Sequence, residues 1–504
     1  MEKIPFHKST WFPPLFNEYT SLNEKLEPLY AFKPTIEGVQ GAISQREFTE
    51  ENRAVLVNTL LEQYKAVKDF AGSLVEANVL KLKEKNTFTI TTGQQLHPFL
   101  GPEMVFNKIE AAIDISKGLM AKGEQSIIPV FWMASEDHDF EEVKTITFFG
   151  KEFIWEKEQD GAVGRMPTKN LVKVIEDMIL TFSHDEKVVY LLKEYKEVYS
   201  RHSSYANATR EVAHRIFGNK GLVVIDGDHA ALKELFAPII EKEIKANFAF
   251  SALKVTNGLI KELGFRPILN PMKENFFHLK DGLREKVNHN AMDLNKLNSF
   301  NVSPNVVLRP VYQEVILPNV AYIAGPSELS YWLQLKEVFK GLNVFYPAVL
   351  PRLFTLNIKK KDLAYLKSIN IELDTLFFTM ENLNIYFLKR ESEKLVGLLQ
   401  EIELIKDKIS DESSKLGAVF YKSIKNTLKD LSKNVKSIQN ELLNAPIQED
   451  KINKLLRIKR GYFDFPIERK RFGIEGEVNG NSSFQWGGSY FGSNCHKNIL
   501  IVEK

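Results

Sequence analysis

Thr92-Gly93-Gln94-Gln95-Leu96-His97-Pro98, with Gly101-Pro102 and Lys108 beyond it, is the first of three stretches whose residue types could do chemistry. A glycine after a strand and before a helix lets the backbone approach a ligand, and a helix N-terminus favours an anion. Gln94 and Gln95 add neutral hydrogen-bond donors and acceptors, while His97 and Lys108 could bring positive charge to a phosphate or carboxylate. The plainer alternative is a turn that needs Gly and Pro only for its geometry. Neither a Walker loop nor a Gly-x-Gly-x-x-Gly run occurs in this stretch, which argues against nucleotide sites of those two kinds.

The second stretch is Glu136-Asp137-His138-Asp139, with Glu141 and Glu142 just beyond. Acids flanking a histidine at a strand end are costly to bury without partners. A carboxylate beside His138 would raise its pKa and fix its tautomer, which suits acid–base work or a phosphate contact. The same oxygens and imidazole could hold a divalent metal, and the alternative is a solvated acidic loop. The third stretch is Arg309-Pro310-Val311-Tyr312-Gln313-Glu314, followed by Gly325-Pro326-Ser327-Glu328 and Tyr331-Trp332. Arg309 could grip a carboxylate or phosphate, with aromatic rings shaping a pocket and Arg352 as a second clamp. The competing structural reading has Ser327 capping a helix whose dipole favours Glu328. Cys495 stands beside His496 in no recognisable protease or redox motif.

The elements that must position these residues follow from periodicity. Helices are expected before residue 85, the clearest over Thr49 to Lys81. Residues 86–92 (NTFTITT) read as a strand, the loop GQQLHPFLGPE follows, and a helix runs from Met104 to Lys117 with Ile109, Ala112, Ile113 and Ile115 in the core. The strand IIPVFWM leads into the acidic cluster, and GLVVID over 221–226 ends in Gly227-Asp228-His229. Further strands are expected at Asn305–Leu308 and Asn343–Tyr346. Strands alternating with helices imply an α/β fold with a mostly parallel sheet, whose ligands sit beyond the carboxyl ends of the strands. Both polar clusters fall at that edge.

Later residues change character. Leu395, Leu398, Ile402, Ile405 and Ile409, then Ile424, Leu428, Leu431, Val435, Ile438 and Leu442, are spaced as heptad seams. They predict an antiparallel helical coiled-coil stalk, able to pack on its own core or make a homodimer. The expected organisation is thus a core over 1–384, a coiled-coil domain over 385–460, and an irregular Gly/Ser/Asn-rich tail over 461–504. Lys+Arg at 67 against Asp+Glu at 65 argues against a dedicated nucleic-acid partner. One cysteine excludes an intramolecular disulfide framework. The N-terminus has no apolar signal segment and no stretch approaches a membrane span, so a cytoplasmic protein is expected.

Taken in order, TTGQQLHPFLGPEMVFNK, PVFWMASEDHDFEEV, PNVVLRPVYQEVILPNVAYIAGPSELSYWLQLKEVF and PAVLPR resemble the bacillithiol synthase (BshC) family, over about Phe6 to residue 445. The resemblance implies a Rossmann-like, nucleotidyltransferase-type core with connecting insertions and a coiled-coil domain. It implies a cysteine ligase that joins cysteine by an amide bond to the amine of glucosaminyl malate, with ATP activating the carboxylate and Mg2+ as its companion. In that reading Gly93 to Gly101 stands where class I synthetases place a His-Ile-Gly-His signature, with His97 its one histidine and no Lys-Met-Ser-Lys-Ser loop elsewhere. Gly93, Gln94, Gln95, His97 and Lys108 would line the pocket. Asp137, His138 and Asp139 would form the catalytic wall opposite. Arg309 and Tyr312 would hold the malate or sugar end, with Gly325 beside them, and Glu328 would recognise an amine. The family's closing Leu-Phe-Pro and Leu-Gln-Glu-Arg elements are reduced here to Phe465-Pro466 and Glu468-Arg469. Two rival readings stand beside this one: a non-catalytic scaffold with a degenerate Rossmann core, and a ligase for a different amine.

Overall fold

The computed structural model describes residues 2–9, 11–121, 123, 125–157, 160–280, 283–287, 301–369, 371–378, 418–444 and 498–503, with a few isolated positions between 382 and 409. The chain divides into two units. One comprises 1–7, 12–356 and 465–502, and the other 8–11, 357–464 and 503–504. The first unit closes its main run at Leu356, earlier than the boundary expected at 384.

Five parallel strands form the centre of the first unit: β1 (Thr87–Gln94), β2 (Ser126–Met133), β3 (Val223–Asp226), β4 (Asn319–Ala324) and β5 (Ala348–Pro351). Their order across the sheet is β5-β4-β1-β2-β3. The chain runs outward from β1 through β2 to β3, then returns to the other side of β1. This is a Rossmann-like α/β order, and its reversal between β1 and β4 opens a crevice at the carboxyl ends of those strands. β1 and β2 are buried almost throughout, as a sheet covered on both faces requires.

One layer is built on helix α1 (Glu103–Met120), whose Ala111, Ala112 and Ile115 pack with Phe88, Ile90, Ile127, Ala321, Ile323 and Leu350. The expected core positions Ile109, Ala112, Ile113 and Ile115 are all at most 1% exposed. The opposite side of β1 presents Thr89 and Thr91, whose hydroxyls donate to Asn319 Oδ1 at 3.2 and 2.8 Å. There lie helices α2 (Ala230–Ala246) and α3 (Arg309–Ile316), joined through the Phe236 and Tyr312 rings at 4.8 Å.

The insertions are local. Between β2 and β3 come an antiparallel hairpin, Thr145–Phe148 with Lys151–Ile154, and three helices over Lys169–Thr181, Glu186–Arg201 and Tyr205–Phe217. Between β3 and β4 lies a small antiparallel sheet of Phe276–Lys280, Leu283–Lys286 and Val302–Pro304.

Several expectations need correction. The helix expected over Thr49 to Lys81 is two, Glu50–Tyr64 and Leu74–Lys81, with Gly72 at a φ of +78° between them. The strand expected at Asn305–Leu308 is a turn: Asn305 Oδ1 accepts from the amides of Val307 and Leu308 at 2.9 and 3.2 Å, drawing the chain into α3. The strand expected at Asn343–Tyr346 lies a few residues on, at β5. Asn343 instead ends the helix Lys336–Leu342 in the left-handed conformation. Helix α4 (Pro326–Trp332) begins one residue before Ser327, and its cap is Gly325, whose amide donates to Glu328 Oε2 at 3.1 Å. Within the tail read as irregular, the apolar run Asn498–Glu503 is a strand, pairing antiparallel with Glu2–Pro5.

In the second unit Lys8 Nζ lies 2.7 Å from Asp374 Oδ2, and the Trp11 and Phe377 rings meet edge-on at 4.8 Å. A 27-residue helix, α5, covers Ala418–Asn444 and carries the second heptad run; its Leu428 is buried and its Leu431 exposed. Leu395, Leu398 and Ile402 of the first run lie outside the described residues.

Candidate functional site

The crevice at the reversal is a cavity of about 620 Å³, walled by the ends of four strands. β1 contributes Gly93 and Gln94, with Gln95 just beyond it. The end of β2 contributes Ser135, Glu136 and Asp137, with Glu142 following. β4 leads into Gly325, Ser327, Glu328 and Tyr331, and β5 into Arg352, while Arg309 enters from α3. Met104, Trp132, Met133, Met272 and Phe277 form an apolar side. Gly93 sits in a crowded place: a Cβ there would stand 3.1 Å from the Tyr322 hydroxyl, which would have to give by a few tenths of an ångström. At Gly325 a Cβ would meet open space.

Lys108 is buried at the floor. Its ammonium donates to Gly93 O at 2.8 Å, Gln94 Oε1 at 3.1 Å and Glu328 Oε2 at 2.6 Å, using its three protons. Glu328 Oε1 accepts from Tyr322 at 2.6 Å. Burial pushes the Lys108 ammonium down despite Glu328 beside it. Burial alone would raise Glu328, but Lys108, the Tyr322 hydroxyl and Arg309 outweigh it and hold the carboxyl below its ordinary range. Glu328, which lines the cavity, is paired in this fold with the amine of Lys108. The pair ties α1 to α4 across the reversal.

Arg309 lies over two rings, its guanidinium carbon 5.8 Å from the Trp132 centroid and 5.6 Å from that of Tyr322. Nη1 donates to Gln313 Oε1 at 3.1 Å, whereas Nη2 is buried and makes no close hydrogen bond, the Tyr331 hydroxyl being a looser polar partner of the guanidinium. Arg352 is 3% exposed, stacks on Phe354 at 3.9 Å and donates to Leu353 O at 2.8 Å. Both cations line the cavity, as does the Glu328 carboxylate.

The lining beyond β2 is acidic. Asp137 Oδ2 accepts from Gln95 Nε2 at 2.5 Å, and its Oδ1 from the His138 amide at 2.7 Å. Glu142 is raised above its ordinary value by burial, then by its neighbours Asp139 and Asp137. Asp139 caps the short helix Phe140–Val143, accepting from the Glu142 amide at 3.3 Å. The His138 ring is half exposed, its Nδ1 3.4 Å from Asp137 Oδ1. Of the acidic cluster, Asp137 lines the cavity while the His138 and Asp139 side chains stand outside its lining.

Glu136 reaches inward instead. It meets Lys233 Nζ at 2.7 Å, and Lys233 also meets Asp228 Oδ1 at 2.9 Å. Arg165 grips Asp228 through two bonds of 2.5 and 2.8 Å. Of this ion-pair group at the ends of β2 and β3, Glu136 and Asp228 were noted in the sequence, while Lys233 and Arg165 were missed. Its one signal was an apolar strand ending in Asp226 and Asp228 with a cation in the next helix. Arg165 lies in a loop that gave none.

Two more expected residues stand outside the lining. His97 is half-buried in the β1–α1 loop, and desolvation there pushes it down to about 4, leaving it neutral at pH 7. It abuts Gly101, whose φ is +69°: a Cβ there would strike His97 Cβ at 2.4 Å. Phe99 and Leu100 also have positive φ, and the loop is held by Tyr199, which accepts from the Phe99 amide at 2.9 Å, and by Tyr205, which donates to Leu96 O at 2.9 Å. Tyr312 is fully buried, donating to Gly227 O at 2.6 Å with its ring edge-on to Trp132. It shapes the layer beneath the cavity. Among the described residues no group of three His, Cys, Asp or Glu is arranged to hold a metal, and no helix is long and apolar enough to cross a membrane.

Residues 1–353 match the family model described as bacillithiol biosynthesis BshC, N-terminal Rossmann-like domain. A protein of Cytophaga hutchinsonii named "Putative cysteine ligase BshC" is 36% identical over 419 residues, covering 80% of this chain and 78% of its own. Proteins of the same name from Flavobacterium johnsoniae and Flavobacterium psychrophilum are 33% and 32% identical, covering 88% and 91% of this chain and 89% and 91% of their own.

Proposed function

This chain belongs to the BshC family of bacillithiol biosynthesis, and we propose that its crevice joins cysteine to the amine of glucosaminyl malate as a cysteine ligase. The observation that carries the reading is the lining of the cavity, which brings Arg309 and Arg352, from α3 and the end of β5, together with Asp137 and Glu142, from beyond β2. A substrate with carboxylates at one end and an amine at the other fits such a cavity in one orientation. The malate carboxylates would meet Arg309 and Arg352. The amine would face Asp137 and Glu142, of which Glu142, raised by burial and like charge, is suited to accept the proton that leaves nitrogen as the amide forms. Met104, Met133 and Phe277 offer the cysteine side chain an apolar surface.

A free carboxylate does not acylate an amine, so ATP would supply the activation. Arg309 Nη2, buried and in no close hydrogen bond, is a donor fit for an anionic oxygen, and Asp137 and Glu142 are the wall carboxylates able to meet a magnesium ion carried with the nucleotide. His138, at the rim beside Asp137, would tune that wall rather than touch the reacting atoms. The heptads of α5 fit a coiled-coil stalk joining two copies of the chain.

The test is mass spectrometry of purified protein with cysteine and glucosaminyl malate, with and without ATP and magnesium. ATP-dependent condensation product is expected, with Asp137→Asn more damaging than His138→Ala. Full-rate product without any nucleoside triphosphate would overturn the activation step, and no product from folded protein would overturn the ligase reading.

A further inference from the structure

Behind Arg309 a line of buried polar side chains runs from the cavity into the layer between α3 and the sheet. Arg309 Nη1 donates to Gln313 Oε1 at 3.1 Å, and Gln313 Nε2 donates to Glu314 Oε1 at 2.8 Å. The same Glu314 oxygen accepts from Asn319 Nδ2 at 2.8 Å, and Asn319 Oδ1 accepts from Thr91 and Thr89. Gln313, Glu314 and Asn319 are each at most 1% exposed. Arg46, the charged group nearest Glu314 from the adjoining layer, donates to its backbone carbonyl at 2.7 Å.

Each bond in this line constrains the next. A carboxylate oxygen that receives two amide donors can be met only by the nitrogen of the Gln313 amide. That turns the Gln313 carbonyl toward Arg309. A flipped amide would set its NH2 against the guanidinium, donor against donor, and leave Glu314 short of a partner. Arg309 is thereby held by Nη1 and by the Trp132 and Tyr322 rings, with Nη2 unspent.

We propose that Gln313 and Glu314 are positioning residues for substrate binding: through the Glu314–Gln313–Arg309 line they fix the arginine so that Nη2 receives an anionic oxygen of the substrate. The inference rests on the cavity being the substrate site, as in the reading above. Arg309 touches the ligand; Gln313 and Glu314 act only through it. Glu314→Gln can keep an oxygen where Oε1 accepts, while Glu314→Leu and Gln313→Leu cannot.

Isothermal titration of the full-length chain with L-malate, with glucosaminyl malate and with cysteine tests this. Gln313→Leu and Glu314→Leu should weaken both malate-bearing ligands by about tenfold or more, as loss of one oriented charge-assisted bond would. Glu314→Gln should restore affinity to within about threefold of wild type, and cysteine binding should be unchanged in all three. A general packing defect would weaken cysteine equally and give no rescue, and that result overturns the proposal. So does a folded Gln313→Leu that binds malate as wild type while Arg309→Met does not. Wild-type protein that binds neither malate ligand would defeat the site reading itself, and the proposal with it.

Discussion

Glu314 is the side chain with the clearest consequence for pH. Burial pushes its carboxyl up to about 7, against the opposing effects of Arg46, Asn319 and Gln313. An acid whose folded pKa lies above its unfolded value favours the fold while protonated, and that contribution is lost as pH rises from about 4.5 through about 7. The full difference is on the order of 3 kcal/mol. Glu314→Gln should therefore gain melting temperature relative to wild type at pH 8 and much less at pH 5; an equal offset at both would show that the carboxyl is not so perturbed. Gly325 allows a different test, because a Cβ there meets only open space. Gly325→Ala should melt within about 1 kcal/mol of wild type yet weaken glucosaminyl malate binding, since its methyl enters the cavity. Neither expectation was available from residue types: Glu314 was only the last member of the Arg309–Glu314 stretch, and Gly325, although expected at the substrate, gave no sign of the open space before it.

Two elements carry the site, and both are held by side chains that could instead have looked catalytic. Lys108 fastens α1 to the end of β1 and to α4, so Lys108→Met leaves the Glu328 carboxylate buried without its cation. The expected loss is about 3–5 kcal/mol in denaturant unfolding, and Lys108→Met with Glu328→Leu together should cost less than the sum of the two. Additive losses would show that the pair is not coupled. The β1–α1 loop stores backbone strain at Phe99 and Leu100, restrained by Tyr199. Tyr199→Phe should cost about 1–3 kcal/mol by orphaning the Phe99 amide, and hydrogen exchange should locate the loosening in residues 95–102. The start of this loop, its Gly and Pro breakers and the helix after it were legible in the sequence. The placing of His97 outside the cavity lining was not, because its surroundings depend on the helices of the insertion that close over the loop.

At the scale of the molecule, the parallel α/β order and the strand-end location of the polar clusters followed from alternating strand and helix patterns. The position of β4 did not. Its run NVAYIA lies between two helical stretches and stands beside β1 only because the chain crosses back over the sheet. The heptads of α5 lead to an expectation for the whole protein, a homodimer in sedimentation equilibrium that Leu431→Glu, at an exposed seam position, converts to monomer. A wild-type mass of one chain would remove the stalk from the assembly.

What the sequence determined by itself is what short-range pattern encodes: the strands β1, β2 and β3, the buried face of α1, the loop breakers, and the motif order that resembles the family. Which polar residues meet was decided by the tertiary structure. Lys108 and Glu328 are 220 positions apart, and Asp137 finds Gln95 across the β1–β2 edge. His97 and Tyr312, no less polar in sequence, stand outside the cavity lining. A side chain's chemistry is set by its residue type, but its charge state and its partner depend on burial and on neighbours contributed by distant segments. No local spacing contains those.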